Sequence, residues 1–322
     1  MLKRILLGIV VVLALLVLGA GGFIVQAHRA IDREHAPLPT ASDLDRFAAA
    51  PADDLPVRLS WIDTASQPMQ RSAVLDPAKD PAPTEPYVLC HPAFVLQWAD
   101  GRILLIDSGM RHDQAISFGK PTEILGIAGP VTPHADTATA LGDAVKRVGG
   151  IVFTHLHTDH VDGVVALCAA RTQQPLSAFM TVAQAERANY TTRPGVALLD
   201  EAGCVRKQVL PDDATLRTVP GFPGVAVIDA GGHTPGSEII LARVATADGV
   251  RSYAFAGDTV NQLDGIRHDV PKPFFYRTFL IPESETRLGE LRRFLAALER
   301  ERGFTILVSH DENALVATGL PH

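Results

Sequence analysis

Cysteine is scarce in this chain: Cys90, Cys168 and Cys204 are the only three in 322 residues. An odd number leaves at least one thiol free whatever disulfide forms, so the cysteines do not assign a compartment. Cys168 lies in an apolar stretch and reads as a small core residue, and Cys90, beside His91, reads as a buried thiol rather than half of a ligand pair. An excess of positive charge is lacking as well. Lys and Arg number 29 against 36 Asp and Glu, a formal net charge of -7. Affinity for nucleic acid is dominated by Lys and Arg contacts to phosphate, so this balance argues against a nuclease, and no nucleic-acid partner is expected. No internal repeat is visible. Nor is the chain short of apolar residues. They make up 47% of it, which excludes disorder as the default state, and the length suits one large core better than two.

Charge is missing altogether from residues 5–25, a run of 21 behind Met1-Leu2-Lys3-Arg4. That is long enough to span a bilayer as a helix, and Lys3 and Arg4 place the N-terminus on the cytoplasmic side. Residues 1–27 are therefore expected to be a membrane anchor. The alternative is a signal peptide cleaved near Val25-Gln26-Ala27. The remainder would be held at the periplasmic side of the membrane, or be periplasmic or secreted if the leader is removed. Residues 28–54 are rich in Ala, Pro and Asp and read as a linker with a short helix at 42–50. Residues 55–322 read as the folded domain. There, 57–62 alternates as a strand, and 88–98 and 103–106, joined by Asp100-Gly101, read as a hairpin. A helix is expected at 137–148, a strand at 178–182 and a helix at 183–190.

The segment Thr154-His155-Leu156-His157-Thr158-Asp159-His160 carries four metal-ligand side chains within six positions. Residues 151–153 before it read as a buried strand and 163–167 after it as a helix, so the cluster falls on a strand-to-helix turn. Neutral imidazole and carboxylate are the ligands that zinc and similar divalent ions take. Three further candidates each follow a short apolar run: His233 after 225–228, Asp258 after 253–256 and His310 after 305–308. The ends of neighbouring strands gather at one sheet edge. Seven ligands are too many for one tetrahedral ion; they suit two ions about 3.5–4 Å apart that share a carboxylate.

His-X-His-X-Asp-His followed by a distant His, Asp and His resembles the metallo-β-lactamase superfamily, over about residues 55–322. The resemblance implies an α/β fold, an αββα sandwich of two mixed β-sheets flanked by helices. By position it implies that His155, His157 and His233 hold a first metal, that Asp159, His160 and His310 hold a second, and that Asp258 bridges them. The implied cofactors are two divalent ions, Zn2+ first, with Fe2+, Mn2+ or Co2+ as alternatives. Within the superfamily, Leu105-Ile106-Asp107-Ser108-Gly109-Met110, Gly232-His233-Thr234-Pro235-Gly236-Ser237 and Ser309-His310-Asp311-Glu312, behind a helix at about 283–302, are similar to the N-acyl-homoserine-lactone lactonases. That likeness implies a small-molecule lactone or related ester opened by a metal-bridging hydroxide, with Asp159 also passing a proton to the leaving alkoxide. A thioester hydrolase of glyoxalase II type or a β-lactamase is the alternative on the same scaffold. A sulfur dioxygenase and a non-catalytic membrane-tethered binding module stand further off.

Two positions depart from the lactonase pattern. Ser237 stands where many relatives carry a further His, and Asn261 stands where those lactonases carry a Tyr three positions after the bridging Asp. An amide at 261 can donate a hydrogen bond, with different reach. Asp107 is expected either to orient a ligand His or to cap a turn. Asp162 and Thr154 are weaker candidates of the same kind. Asp311 either orients His310 or faces solvent. His91, His112, His134 and His268 fall outside the pattern and read as surface or loop residues. The segments 64–86, 111–136, 190–206 and 261–282 are expected to wall the site. In the last of them Phe274, Phe275, Tyr276, Phe279 and Leu280 either contact an acyl chain or pack the loop onto the body.

Overall fold

A computed structural model describes residues 2–322 of the chain. Among the described residues, twelve strands form two sheets. The first sheet contains β1 (Arg58–Met69), β2 (Tyr87–Gln97), β3 (Ile103–Ile106), β4 (Thr132–Pro133), β5 (Val148–Val152), β6 (Leu176–Met180) and β7 (Val205–Val209). Their order across the sheet is β4-β1-β2-β3-β5-β6-β7. The second contains β8 (Arg217–Thr218), β9 (Val225–Asp229), β10 (Glu238–Thr246), β11 (Gly249–Phe255) and β12 (Thr305–Leu307), in the order β12-β11-β10-β9-β8. Both sheets are mixed. β1, β2 and β3 pair antiparallel, while β3, β5, β6 and β7 run parallel; in the second sheet β12 joins β11 in parallel.

The sequence dictates why the sheets stack. Ile103, Leu104, Leu105 and Ile106 are buried on both faces, as expected of a strand with layers on either side. One face of the first sheet, with Trp61, Phe94, Leu104, Ile106 and Val152, packs on Val225, Val227, Ile240, Phe255 and Leu307 of the second. Full burial of such side chains contributes roughly 1.5–3 kcal/mol each. The other face of the first sheet, with Leu105, Ile151 and Ala178, is covered by Val164 and Leu167 of the helix Val164–Ala170. The far face of the second, with Ile228, Ile239 and Ala254, is covered by Leu288, Leu291 and Leu295 of the helix Glu285–Arg302. The layers are helix, sheet, sheet, helix, as anticipated.

Several elements differ from the sequence reading. The strand expected at 57–62 continues to Met69, because a bulge after Asp63 lets it turn and keep pairing with β2. The helix expected at 137–148 is a short α-helix, Thr137–Leu141, followed by a 3-10 turn to Arg147, and Gly142 between them has φ +53°. The helix expected at 183–190 is only Val182–Glu186, capped by Thr181 Oγ1 accepting from Gln184 N. The segments read as site walls contain helices of their own, His112–Ile124 and Arg193–Glu201; Pro121 inside the first masks its period.

The N-terminal helix runs Leu2–Asp32. Among the described residues no helix is long and apolar enough to cross a membrane. The expected membrane run 5–25 includes positions 5, 7, 12, 13 and 16, whose side chains lie outside the described residues. The last turns of this helix dock on the body. Ile31 is fully buried, and the His28 ring bonds to the carbonyls of Thr278 and Glu283. Residues 28–54, read as a linker, are seated on the folded domain: Gly236 N donates to Glu34 Oε2, Arg287 donates to Ala36 O, and Leu44 packs beside Ile228. Cys168, expected to be a plain core residue, is disulfide-bonded to Cys204 in the same hydrophobic cluster, and Cys90 is the free, buried thiol.

Candidate metal centre

β5 ends at Val152, and the chain then turns into the short helix Thr158–Val161, so His155, His157, Asp159 and His160 emerge at the edge where the two sheets meet. β9, β11 and β12 deliver His233, Asp258 and His310 to the same edge. All seven expected ligands come together. His155, His157, His233 and Asp258 form one group whose ligand atoms lie within 4.8 Å of one another, and His160, Asp258 and His310 form a second. Asp258 divides its carboxylate between them. Oδ2 lies 3.5 Å from His233 Nε2 and 3.9 Å from His155 Nε2, whereas Oδ1 lies 3.1 Å from His310 Nε2 and 3.4 Å from His160 Nε2.

The residues present fit a pair of divalent ions. Ligands at 2.0–2.2 Å from a tetrahedral ion stand about 3.3–3.6 Å apart. The imidazole spacings here lie at or just under the lower end of that range: 3.0 Å between His155 Nε2 and His157 Nδ1, 3.3 Å between His233 Nε2 and His157 Nδ1, and 3.3 Å between His160 Nε2 and His310 Nε2. Asp258 Oδ1 is buried and has no hydrogen-bond partner, which is costly for a carboxylate oxygen unless a cation meets it. Burial keeps the three imidazoles of the first group neutral. It drives His155 and His233 well below the usual imidazole range and His157 down to about 4. Burial also raises Asp159 and Asp258, but the imidazoles outweigh it: His160 and His91 hold Asp159 below the carboxylate range, and His310 and His155 hold Asp258 below it. For His160, burial lowers the imidazole, yet the carboxylates of Asp107, Asp159 and Asp258 raise it well above its ordinary value. Metal and proton therefore compete for the same nitrogen, and loading the site releases protons.

The ring nitrogens turned away from the centre are also held. His160 Nδ1 bonds to Asp107 Oδ2 at 2.8 Å, and Asp107 in turn accepts from Thr154 N at 2.7 Å and Thr154 Oγ1 at 2.8 Å. Asp107 occupies the left-handed region at φ +58°, a strained backbone that clusters at functional sites. Of the two placements expected for it, Asp107 is found against the His160 ring, with Thr154 as its support. His310 Nδ1 donates to Cys90 O at 2.7 Å. His233 Nδ1 bonds to Glu283 Oε1 at 2.5 Å, and Lys272 Nζ donates to the same oxygen and to Asp258 O, both at 2.6 Å. Burial pushes Glu283 up to about 7 while Lys272 pulls it down.

Other sequence expectations resolve differently. Asp162 is bound by Arg111 and does not reach a ligand; Asp311 neither orients His310 nor faces solvent, but is buried, accepting from Leu263 N and capping Ala314 N. His112, His134 and His268 are exposed, as expected of surface residues. His91 is a correction: it is buried, with Nδ1 3.3 Å from Asp159 Oδ2. It was missed because it lies on an interior strand far from the motif. Lys272 and Glu283 were missed as well, and nothing in their local sequence marks them. Asn261 is buried beside the centre with its Oδ1 unpartnered. A cleft of about 560 Å³ opens over Asp159, Asp258 and His310, walled by Met69, Leu89, Phe118, Phe275, Tyr276 and Leu280.

The family model of the metallo-beta-lactamase superfamily matches residues 89–310. The chain belongs to this superfamily. It is a metal-dependent hydrolase, with a ligand pattern like that of the lactonases. Solved structures agree on the fold. An N-acyl homoserine lactone hydrolase with N-hexanoyl-L-homoserine bound at its catalytic metal centre is 16% identical, with a TM-score of 0.57 over 82% of this chain and 96% of that one. A mutant of the B. thuringiensis AiiA protein with N-decanoyl-L-homoserine at its active site is 17% identical, again with a TM-score of 0.57 over 82% and 96%. AidC, a dizinc quorum-quenching lactonase, is 12% identical with a TM-score of 0.51 over 80% and 90%. Among curated proteins none matches the sequence.

Proposed function

We propose that this superfamily member opens a lactone or related carboxylic ester at a two-metal centre, with N-acyl-homoserine lactones as the first substrate class. The observation that carries this reading is Asp258, whose two oxygens face two separate imidazole groups beneath an apolar cleft. The ligand sets would be His155, His157 and His233 for one ion and Asp159, His160 and His310 for the other, with Asp258 shared. When bound, such ions, Zn2+ first, supply a Lewis acid for the ester carbonyl and a water acidified to a pKa near 7. The chain's own groups do the rest. Asp159 is held ionised, so it can take the proton released by the attacking water and return it to the leaving alkoxide. The Asn261 amide, which lines the cleft, would donate to the substrate carbonyl. Phe118, Phe275 and Leu280 offer an apolar wall to an acyl chain and exclude water from it.

We also propose that the domain works outside the cytoplasm, held to a membrane by the N-terminal helix. Leu6, Val10, Leu15, Val17 and Leu18 are each more than half exposed, apolar surface that water disfavours. The Cys168–Cys204 disulfide supports an oxidising compartment. The first experiment is acid release by pH-stat from homoserine lactones of short and long acyl chain, using full-length zinc-loaded protein in detergent. Rapid ring opening that a chelator abolishes is the expected result. No acid release from protein shown to hold two zinc ions would overturn the lactone assignment.

A further inference from the structure

The second metal group has one imidazole more than the seven-ligand pattern accounts for. His91 lies on β2, and its side chain is 3% exposed. Its Nδ1 is 3.3 Å from Asp159 Oδ2, while His160 Nε2 and His310 Nε2 stand 3.6 Å and 3.5 Å from the same oxygen. One carboxylate oxygen is thus ringed by three imidazole nitrogens at nearly one distance, close to the roughly 3.3–3.6 Å that separates neighbouring ligands on a tetrahedral ion. Ligand atoms of His91, Asp159 and His310 lie within 4.8 Å of one another. The Nδ1 of His91 is buried and makes no hydrogen bond. An unsatisfied buried polar atom costs about 1–3 kcal/mol, so a buried nitrogen aimed at a carboxylate and a second imidazole requires an explanation.

The backbone is shaped to aim this side chain. β1 pairs Asp63 with Pro92 and Ser66 with Cys90, so Thr64 and Ala65 together oppose His91. A bulge of this kind bends a strand and redirects the residue it faces. The groups freed from the ladder are satisfied locally: His91 N donates to Asp63 Oδ1 at 3.2 Å, and Thr64 Oγ1 donates to His91 O at 2.7 Å. The His91 ring packs in T-shaped contacts with His310 and Phe118, with centroids 5.0 Å and 5.2 Å away.

We propose that His91 is a ligand of the second metal ion, through Nδ1, beside Asp159, His160 and His310. This rests on the two-metal reading of the centre. It gives the second subsite a donor the superfamily pattern does not include, and so a firmer hold on its ion.

The test uses full-length protein stripped by chelator and titrated with Co2+, followed by metal content and the visible cobalt spectrum. The parent is expected to take up two ions per chain. His91→Ala should bind the second equivalent at least about tenfold more weakly and shift the spectrum of that equivalent alone. His91→Asn keeps an amide that can hydrogen-bond to Asp159 but lacks an imidazole nitrogen, so it should behave as the Ala variant does. If either variant fails to fold, the other still gives the reading. Two equivalents with unchanged affinity and spectrum in His91→Ala would overturn the proposal. So would full rescue by His91→Asn, which would make His91 a hydrogen-bond partner of Asp159. A parent that binds a single ion would instead overturn the two-metal reading itself, before any variant is compared.

Discussion

At the scale of single residues, the decisive feature is how each side chain of the cluster is held, more than which side chains gather there. Asp258 touches both imidazole groups, so Asp258→Ala should abolish hydrolysis and leave fewer than two metal ions per chain by atomic absorption; an active variant holding both ions would remove its bridging role. Asp159→Asn should lower kcat by a factor on the order of 10²–10⁴ while KM changes little, and unchanged turnover would remove its proton-transfer role. Glu283→Gln keeps the size of the side chain but takes the carboxylate from His233 Nδ1 and from the Lys272 ammonium. Supports of this kind are worth about 10–100-fold in metal affinity, so zinc binding measured against a competing chelator should weaken by that factor. The seven clustered side chains were legible because the His-rich motif is compact and the three distant ones follow apolar runs. Glu283, Lys272 and His91 were not, because their partners are fixed only when separate strands and loops meet.

At the scale of elements, two local devices carry measurable stability. The Cys168–Cys204 disulfide ties the helix Val164–Ala170 to the start of β7 across a separation of 36 residues. A loop of that length contributes about 3–4 kcal/mol by restricting the unfolded chain, so Cys204→Ser should lose about that much in denaturant unfolding, and reductant should do the same to the parent. The second device is the bulge in β1. Burial raises Asp63 to about 6, against the lowering effect of its hydrogen bonds and of His134. A carboxyl raised on folding favours the native state while protonated; that contribution is complete below about pH 4 and is lost as pH rises through 6. Asp63→Asn, which retains an acceptor oxygen for Ala65 N and His91 N, should therefore be more stable than the parent by about 3 kcal/mol at pH 7.5 and nearly equal to it at pH 4. An equal gain at both pH values would place the effect elsewhere. The hairpin and the strand ends that carry the clustered His and Asp side chains were readable from alternation and turn residues. The bulge, the shortened helix at 137–141 and the helices in the site walls were not, since Gly, Pro and tertiary pairing override local period there.

At the scale of the whole molecule, the N-terminal helix is packed against the domain that carries the metal-centre side chains. Its final turns bond through His28 to the carbonyls of Thr278 and Glu283, beside the carboxylate that holds His233. If the helix anchors the chain, cell fractionation should place the protein in membranes that resist alkaline extraction, with the domain digestible from the outer side; release as a soluble form beginning near residue 28 would favour cleavage. The sequence by itself determined the superfamily, the layered α/β class and the seven side chains that gather at one sheet edge. Those depend on local spacing and on short apolar runs, which one chain displays in order. Only the tertiary structure decided that Asp258 faces both groups, that Cys168 meets Cys204, that residues 28–54 lie on the body and that His91 reaches Asp159. Each of these is a distance between segments far apart along the chain, set by how two sheets stack and where a strand bends, and no local pattern encodes it.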